Sequence, residues 1–545
     1  MEPNAVCIGT ILRHVQGRQM TQEKLSPNDL YQALWASADE MRATMNADKY
    51  KDYLLGLVFY KALSDRQLHA AYDLMNDAVP PSLDEAQECY EKAWESEDGD
   101  DLRDELSEKF DCVIAPKKTF TAFYSKVNDG TFMLDDLSQA FRDVEQSCDN
   151  FYQGLFDDFD IMSSDLGKTP QERNRKVSSL IRALAAIDFN MYGYDALGDA
   201  YEYLIAKFAS ESGSKAGEFY TPRAVAELIA HIVTMGKAET AGFSAYDPCM
   251  GSGSLLLQAR NGIKSELQKH MKFFGQELKN QTYNLARMNM ILHGVPAGNQ
   301  HLRNGDTLGA DWPSDEPTEF DAVVMNPPYS QKWNPVQGML QDPRFSPYEK
   351  LAPASKADLA FLLHGFYHLK QNGTMGIVLP HGVLFRGGAE GVIRQHLCEN
   401  GSIHAVIGLP PNIFYSTGIP TCVIVLRKNS EKRDILFIDA SRDFKKERAR
   451  NLLTEDNIQK ILDAYMQRKD IEKYSHLATF DEVRQNDFNL NIPRYVDTFE
   501  EEEPIDLAKA FQDLRQAEEE ERKTAEVLKG YFKELGLDPK LWEGK

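Results

Sequence analysis

The residues best suited to chemistry are Asn326, Pro327, Pro328 and Tyr329, read as one unit. They close a short apolar run, Phe320 to Met325, whose composition predicts a buried strand. Two successive prolines cannot continue a ladder, so the chain must turn at that strand's carboxyl end. The tetrapeptide offers a side-chain amide oxygen, backbone carbonyls beside residues lacking an N–H, and a flat aromatic face. Those parts suit a planar substrate with an exocyclic NH2. Two acceptors hold its N–H bonds, the nitrogen lone pair stays free to attack, and the ring stacks on the substrate. An isolated NPPY is equally an ordinary proline-rich turn, so the residues upstream must decide.

Gly242 to Tyr246 reads as a strand running into Asp247-Pro248-Cys249-Met250-Gly251-Ser252-Gly253-Ser254, followed by an apolar helix from Leu255 to Ala259. Gly251 and Gly253 let the backbone approach a ligand closely, and Asp247 at the strand end can take an ammonium. No GK[ST] follows, so no phosphate cradle is implied. A second strand ends at Phe273-Phe274-Gly275-Gln276-Glu277, and such an acid is where doubly wound folds hold a ribose diol. Asp306, in the turn Arg303 to Leu308, is a third strand-end acid, and NPPY comes fourth. Alone, each acid is an ordinary solvated turn residue. In order, at steps of about twenty to thirty residues, they predict an α/β sheet with ligands along its carboxyl edge. Upstream, Ser210 to Gly217 reads as a small-residue linker before Glu218-Phe219-Tyr220-Thr221-Pro222-Arg223 and an amphipathic helix, Ala224 to Met235. Thr221 is expected as the N-cap with Pro222 first in the helix. That is either a capped helix and nothing more, or a helix N-terminus offered to a carboxylate.

The 545 residues allow two to four domains, with 42% hydrophobic and 10% aromatic content typical of a soluble globular protein. No apolar run approaches a membrane span, no signal peptide is legible, and Met20 is a candidate functional start. Seven scattered cysteines without a CxxC fit a reducing cytoplasm. The twelve histidines show no metal-ligand spacing, so no metal is expected. A net charge of −23 is awkward for a protein gripping nucleic acid alone, and implies a partner that supplies much of the grip or a local basic cleft. Ser26 to Lys207 reads as mostly helical, with the acidic stretch Glu88 to Glu105 as a solvated face or loop. Leu359, Phe361, Leu362 and Phe366 read as a helix on the sheet. Pro411 to Gly418 is a loop between strands, either a lip of the substrate pocket or a hairpin with packed aromatics. In the charged tail, Leu507, Phe511, Leu514, Ala525, Leu528, Phe532 and Leu535 keep a broken three-four spacing, as in a partner-seeking helix or one docked on its own chain.

From about Leu25 to Val496 the chain resembles the modification (M) subunit of type I restriction–modification systems, an N6-adenine DNA methyltransferase family. Leu34 to Asp39 and Tyr50 to Leu57 resemble the family's helical domain. EFYTPR, DPCMGSGSLLL, GQE, GD and NPPY follow in family order, with later strands at Gly376 to Pro380 and Ala405 to Pro410 and an ending at Phe488 to Tyr495. Cys249-Met250 depart from the usual small or hydroxyl residues of the glycine motif. The resemblance implies a helical N-terminal domain, a Rossmann-like S-adenosyl-L-methionine (AdoMet)-dependent domain with a mixed sheet, and a helical tail. The expected bounds are an extension at 1–25 open to disorder, the helical domain at 26–208, the methyltransferase domain at 209–498, and a partner-binding tail at 499–545. It further implies that Glu218 to Arg223 line the methionine end of AdoMet and that Gly251, Ser252 and Gly253 pass under it, near Asp247. Glu277 would take the ribose hydroxyls and Asp306 the cofactor's adenine amine. Asn326 and the Pro327 carbonyl would hold the target N6 amine of a flipped adenine, with Tyr329 stacked on the base. Implied partners are duplex DNA, a specificity (S) subunit that chooses the site, a second M subunit and a restriction (R) subunit. With no Walker loop and no room after the core for target-recognition domains, the chain alone is expected neither to cut DNA nor to choose its sequence. Two alternatives stay open: a protein-glutamine N5-methyltransferase, whose amide is also a planar NH2, and a catalytically silent assembly subunit. The first leaves the helical domain and tail unexplained, and the intact motifs argue against the second. Cytosine N4 chemistry, which usually presents Ser or Asp at position 326, ranks below adenine.

Overall fold

The computed structural model describes residues 26–37, 39–42, 45–147, 151–189, 192, 194–211, 220–414, 417–428, 432–448, 450–498 and 506–537. The expected extension at 1–25 lies outside them. The chain divides into two compact units, one ending at Val496 and one running from Asp497 to Lys545.

Helices fill the first unit up to Glu211. The longest, Ala47–Asn76, carries a nearly continuous buried surface (Leu54, Leu57, Val58, Phe59 and Tyr60 among others) and sits at the centre of the helical layer. Its neighbours start at legible caps: Ser82 accepts from Glu85 N, Thr119 from Ala122 N, and Thr169 and Glu172 form a capping box. The acidic stretch from Glu88 is helical, within Leu83–Trp94 and Gly99–Phe110, with Tyr90, Ala93, Leu102 and Leu106 turned inward and the acids outward. The solvated-face reading holds there. This core also takes in Met288 and Leu292 of the helix Asn280–Leu292, which packs the helical layer against the sheet domain.

The sheet has nine strands. In chain order these are β1 (Ser244–Asp247), β2 (Lys272–Glu277), β3 (Gln300–Asn304), β4 (Phe320–Met325), β5 (Leu369–Pro380), β6 (Ile403–Gly408), β7 (Thr421–Arg427), β8 (Ile435–Asp439) and, after a separate two-stranded hairpin of β9 (Lys445–Lys446) and β10 (Asn451–Leu452), β11 (Ser475–Ala478). The spatial order is β11-β8-β6-β7-β5-β4-β1-β2-β3. β3, β2, β1, β4 and β5 run parallel, β7 is antiparallel between β5 and β6, and β11 is antiparallel to β8, so the sheet is mixed. Every residue of β1 and β4 is buried, as parallel strands covered on both faces require. Helix Arg223–Thr234 covers one face through Val225, Leu228, Ile229 and Ile232, and helix Asp358–Tyr367 covers the other. The chain steps outward from β1 to β3, then returns to place β4 on the other side of β1. A crevice therefore opens at the carboxyl ends of β1 and β4, the switch point where such sheets bind ligands.

One local expectation fails. The helix begins at Arg223 with Pro222 as its N-cap and no side-chain capping bond, so Thr221 is not the cap. Its hydroxyl has another partner, described next.

Candidate active site

β4 delivers Asn326 to the switch point, and three bonds then fix the tetrapeptide. Asn326 Nδ2 donates to Thr221 Oγ1 at 3.0 Å, which is why that hydroxyl does not cap the helix. Tyr329 Oη donates to Asn326 Oδ1 at 2.8 Å. Ser330, left-handed at φ 52°, donates its N–H to Asp358 Oδ1 at 2.7 Å. Asp358 is fully buried at the start of its helix and is neutralised by Arg386 at 2.8 Å, which also pairs with Glu390. Both partners of the amide are hydroxyls, and in this arrangement its nitrogen faces Thr221 while its oxygen faces Tyr329. The Tyr329 ring is partly exposed and meets Phe414 edge-on, with centroids 6.1 Å apart. Burial around its hydroxyl pushes the phenol well above its ordinary pKa, so it remains a neutral donor. Phe414 is 5% exposed, so the loop after β6 carries a packed aromatic beside Tyr329. Tyr415 and Ser416 of that loop lie outside the described residues.

The glycine loop after β1 follows the same edge. Gly251 and Gly253 adopt φ of 56° and 77°, which L side chains rarely do. Met250 N donates to Gln276 O at 2.9 Å, binding the loop to β2. Gly275 lies close beneath it: a Cβ there would stand 2.4 Å from Met250 Sδ, so the methionine would have to move. From behind, Asn289 Nδ2 donates to Ser252 O at 3.0 Å and reaches Glu202 Oε1 at 3.4 Å. Asp247 is buried and accepts Cys249 N–H at 2.9 Å. Desolvation drives its carboxyl well above the usual carboxylate range, and Glu277 adds like charge. Glu277, at the end of β2, is raised chiefly by burial while accepting Lys279 N–H at 2.9 Å. Asp306 is exposed after β3 and accepts Leu308 N–H on Oδ1 at 3.1 Å. Tyr220, Thr221 and Pro222 are buried beside the crevice, while Arg223 is exposed and paired with Glu227 and Asp199. Glu218 and Phe219 lie outside the described residues. The donor set fits AdoMet: a backbone cradle that side chains would fill, and carboxylates at three successive strand ends for a cationic, diol-bearing, amine-bearing molecule.

Beneath the site lies a network the sequence reading missed. Gln276 and His364 both bond the Tyr246 hydroxyl, at 3.1 and 2.9 Å, and Tyr246 donates to Trp312 O. Arg344 donates to Thr307 O at 3.1 Å and faces His364 Nδ1 at 3.2 Å, which makes that nitrogen the acceptor. Desolvation holds the His364 pKa well below its ordinary value, with His368 and Arg344 adding to the effect. His364 and His368 stand one helical turn apart in His364-Gly365-Phe366-Tyr367-His368, so a ligand-like spacing does exist, contrary to expectation. With Asp311 they form a group able to hold a metal ion. Arg344 lies 3.7 Å from Asp311 and already supplies positive charge there, which favours a salt-bridged network. Among the described residues no other such group occurs.

A family model described as N-6 DNA Methylase matches residues 192–504, and one described as HsdM N-terminal domain matches residues 30–184. The methylase subunit of type I restriction enzyme MpnII from Mycoplasma pneumoniae is 33% identical over 94% of this chain and 97% of its own length. The MjaVIII methylase subunit of Methanocaldococcus jannaschii is 31% identical, over 94% and 86%. Among solved structures, the methyltransferase subunit of a type I restriction–modification system from Streptococcus thermophilus has a TM-score of 0.84 at 55% identity, covering 87% of this chain and all of that one.

Proposed function

The chain belongs to the N-6 DNA methylases, among the methylase subunits of type I restriction enzymes, and on that premise we propose that it transfers the AdoMet methyl group to N6 of adenine in duplex DNA, at sites chosen by a specificity subunit. The observation that supports the reading is the Asn326 side chain at the carboxyl end of β4, held between Thr221 and Tyr329 with both ends of its amide hydrogen-bonded. Asn326 Oδ1 and the Pro327 carbonyl accept the two N–H bonds of the target amine, directing its lone pair along the remaining axis. Pro328 stiffens the turn. Tyr329 releases Asn326 and stacks on the base, which must leave the duplex to reach it. On the cofactor side Glu277 takes the ribose diol, Asp306 the adenine amine, and Gly251 to Gly253 the backbone approach, with Asp247 and the segment 218–223 at the methionine end. Bound AdoMet supplies the methyl group on a sulfonium, already a good electrophile. Catalysis then consists mainly of positioning, and no strong base is required. Duplex DNA, a specificity subunit, a second methylase subunit and a restriction subunit are the partners this reading assigns, with the tail 499–545 as the assembly segment.

The test is transfer of labelled methyl from AdoMet to duplex DNA, with and without the cognate specificity subunit, followed by identification of the modified base. N6-methyladenine formed with the partner is the expected result. Asn326→Ala should lose at least about a hundredfold in transfer, in line with removal of one preorganised polar contact, while still binding AdoMet. Methylation of a glutamine-bearing peptide instead of DNA, or no transfer by a verified complex, refutes the reading.

A further inference from the structure

A cleft of about 630 Å³ is lined by Tyr220, Arg223, Phe414, Arg448 and Asn451 among others, and Phe414 links it to Tyr329. One of its walls is the β9–β10 hairpin. Between residues 445 and 450 the chain places Lys445, Lys446, Arg448 and Arg450 against the single acid Glu447, although the whole chain carries −23. Lys445, Lys446 and Arg448 are exposed and have no ion-pair partner among the described residues. Arg223, on another wall of the cleft, is by contrast held by Asp199 and Glu227.

The hairpin is too short to stand by itself, and its root shows what it belongs to. Glu447 N donates to Arg450 O at 3.0 Å to close the turn. Asn451, 8% exposed, donates its N–H to Asn412 O at 3.0 Å and its Nδ2 to Pro411 O at 2.7 Å. That loop carries Phe414, whose ring meets Tyr329. The basic turn is therefore bolted to the loop whose Phe414 packs on Tyr329. In a net-negative protein, screening confines each charge's reach to about 8 Å, so cations attract a polyanion only where they sit. Arg448 lines the cleft itself, and Lys445 and Lys446 precede it on the same hairpin.

We propose that the β9–β10 hairpin is a phosphate clamp, in which Lys445, Lys446 and Arg448 bind backbone phosphates of the DNA strand that carries the target base. The clamp rests on the function proposed above and adds to it a named surface for the strand. Each phosphate neutralised releases condensed counterions, which gives the clamp a salt signature.

The experiment uses the chain assembled with its specificity subunit, comparing it with the combined Lys445→Ala, Lys446→Ala, Arg448→Ala variant on cognate duplex. Binding is measured from roughly 50 to 200 mM salt. The variant is expected to assemble normally, bind AdoMet unchanged, and show a plot of log K against log salt shallower by about 2 to 3. Exchanging the two lysines for arginine and Arg448 for lysine should restore the slope. An unchanged slope and affinity overturns the clamp. So does loss of the specificity subunit from the variant complex, which would mark the hairpin as a protein-docking surface. If the unsubstituted complex binds DNA but methylates no adenine, the proposed function falls, and the slopes still decide the clamp.

Discussion

Asn326 is hydrogen-bonded at both ends of its amide, to Thr221 at the nitrogen and to Tyr329 at the oxygen. A Tyr329→Phe variant keeps the stacking ring and loses the hydroxyl bond to Asn326 Oδ1, so methyl transfer should change by less than about tenfold, since one such bond is worth about 1 kcal/mol. Tyr329→Ala removes the ring and should cost more, about 1 to 3 kcal/mol of base binding, read as a raised KM for DNA with AdoMet affinity intact. A second residue sets an acid limit on the fold. The His404 pKa is lowered from 6.5 to about 3 by burial, then by Arg468 and Arg427, and the ring accepts from Arg468 at 2.9 Å. The unfolded chain takes up that proton first, so the contribution is whole above pH 6.5 and is lost progressively as pH falls toward 3. Denaturant titrations at pH 7 and pH 4.5 should show His404→Gln losing less stability on acidification than the parent, by roughly 2 kcal/mol. At this scale the sequence was legible where a residue sits at or just past a strand end, as Asn326, Glu277 and Asp306 do. It was silent on Asp358, because nothing in a helix-start aspartate says that a turn 28 residues earlier will donate an N–H to it.

The strands were legible because burial on both faces leaves nearly continuous apolar runs: β4 spans the predicted residues, and the acids fall where strands must end. Thr221 was misread because a hydroxyl before a helix is ordinarily spent on that helix, and only the fold shows β4 bringing it a better donor. The β9–β10 hairpin gave no strand signal, since two-residue strands have no periodicity to read. The fit of Gly275 under Met250 belongs to this scale and can be tested. Gly275→Ala should reduce stability by about 1 to 3 kcal/mol and weaken AdoMet binding, with partial rescue of both by Met250→Ala. If Gly275→Ala binds AdoMet normally without the second change, the loop is less constrained than its geometry implies.

At the scale of the molecule, the tail unit forms one helix, Leu507–Glu534, with no buried residue. Leu507, Phe511 and Leu514 are more than half exposed on it, and under the proposed function this is the face a partner would cover. A chain ending at residue 498 should keep its melting temperature within a few degrees and keep AdoMet binding, yet fail to co-purify with the specificity subunit. Unimpaired co-purification would move the assembly surface elsewhere. Within the first unit, Asn289 touches Ser252 of the glycine loop and Glu202 of the helical layer. Met288 and Leu292 of the helix that carries Asn289 belong to the helical core, which ties the two layers further. Calorimetry should therefore record a single endotherm for that unit, and AdoMet at saturation should raise the transition seen at Trp35 and Trp94 as far as that seen at Trp312 and Trp333, although the helical layer supplies none of the strand-end carboxylates.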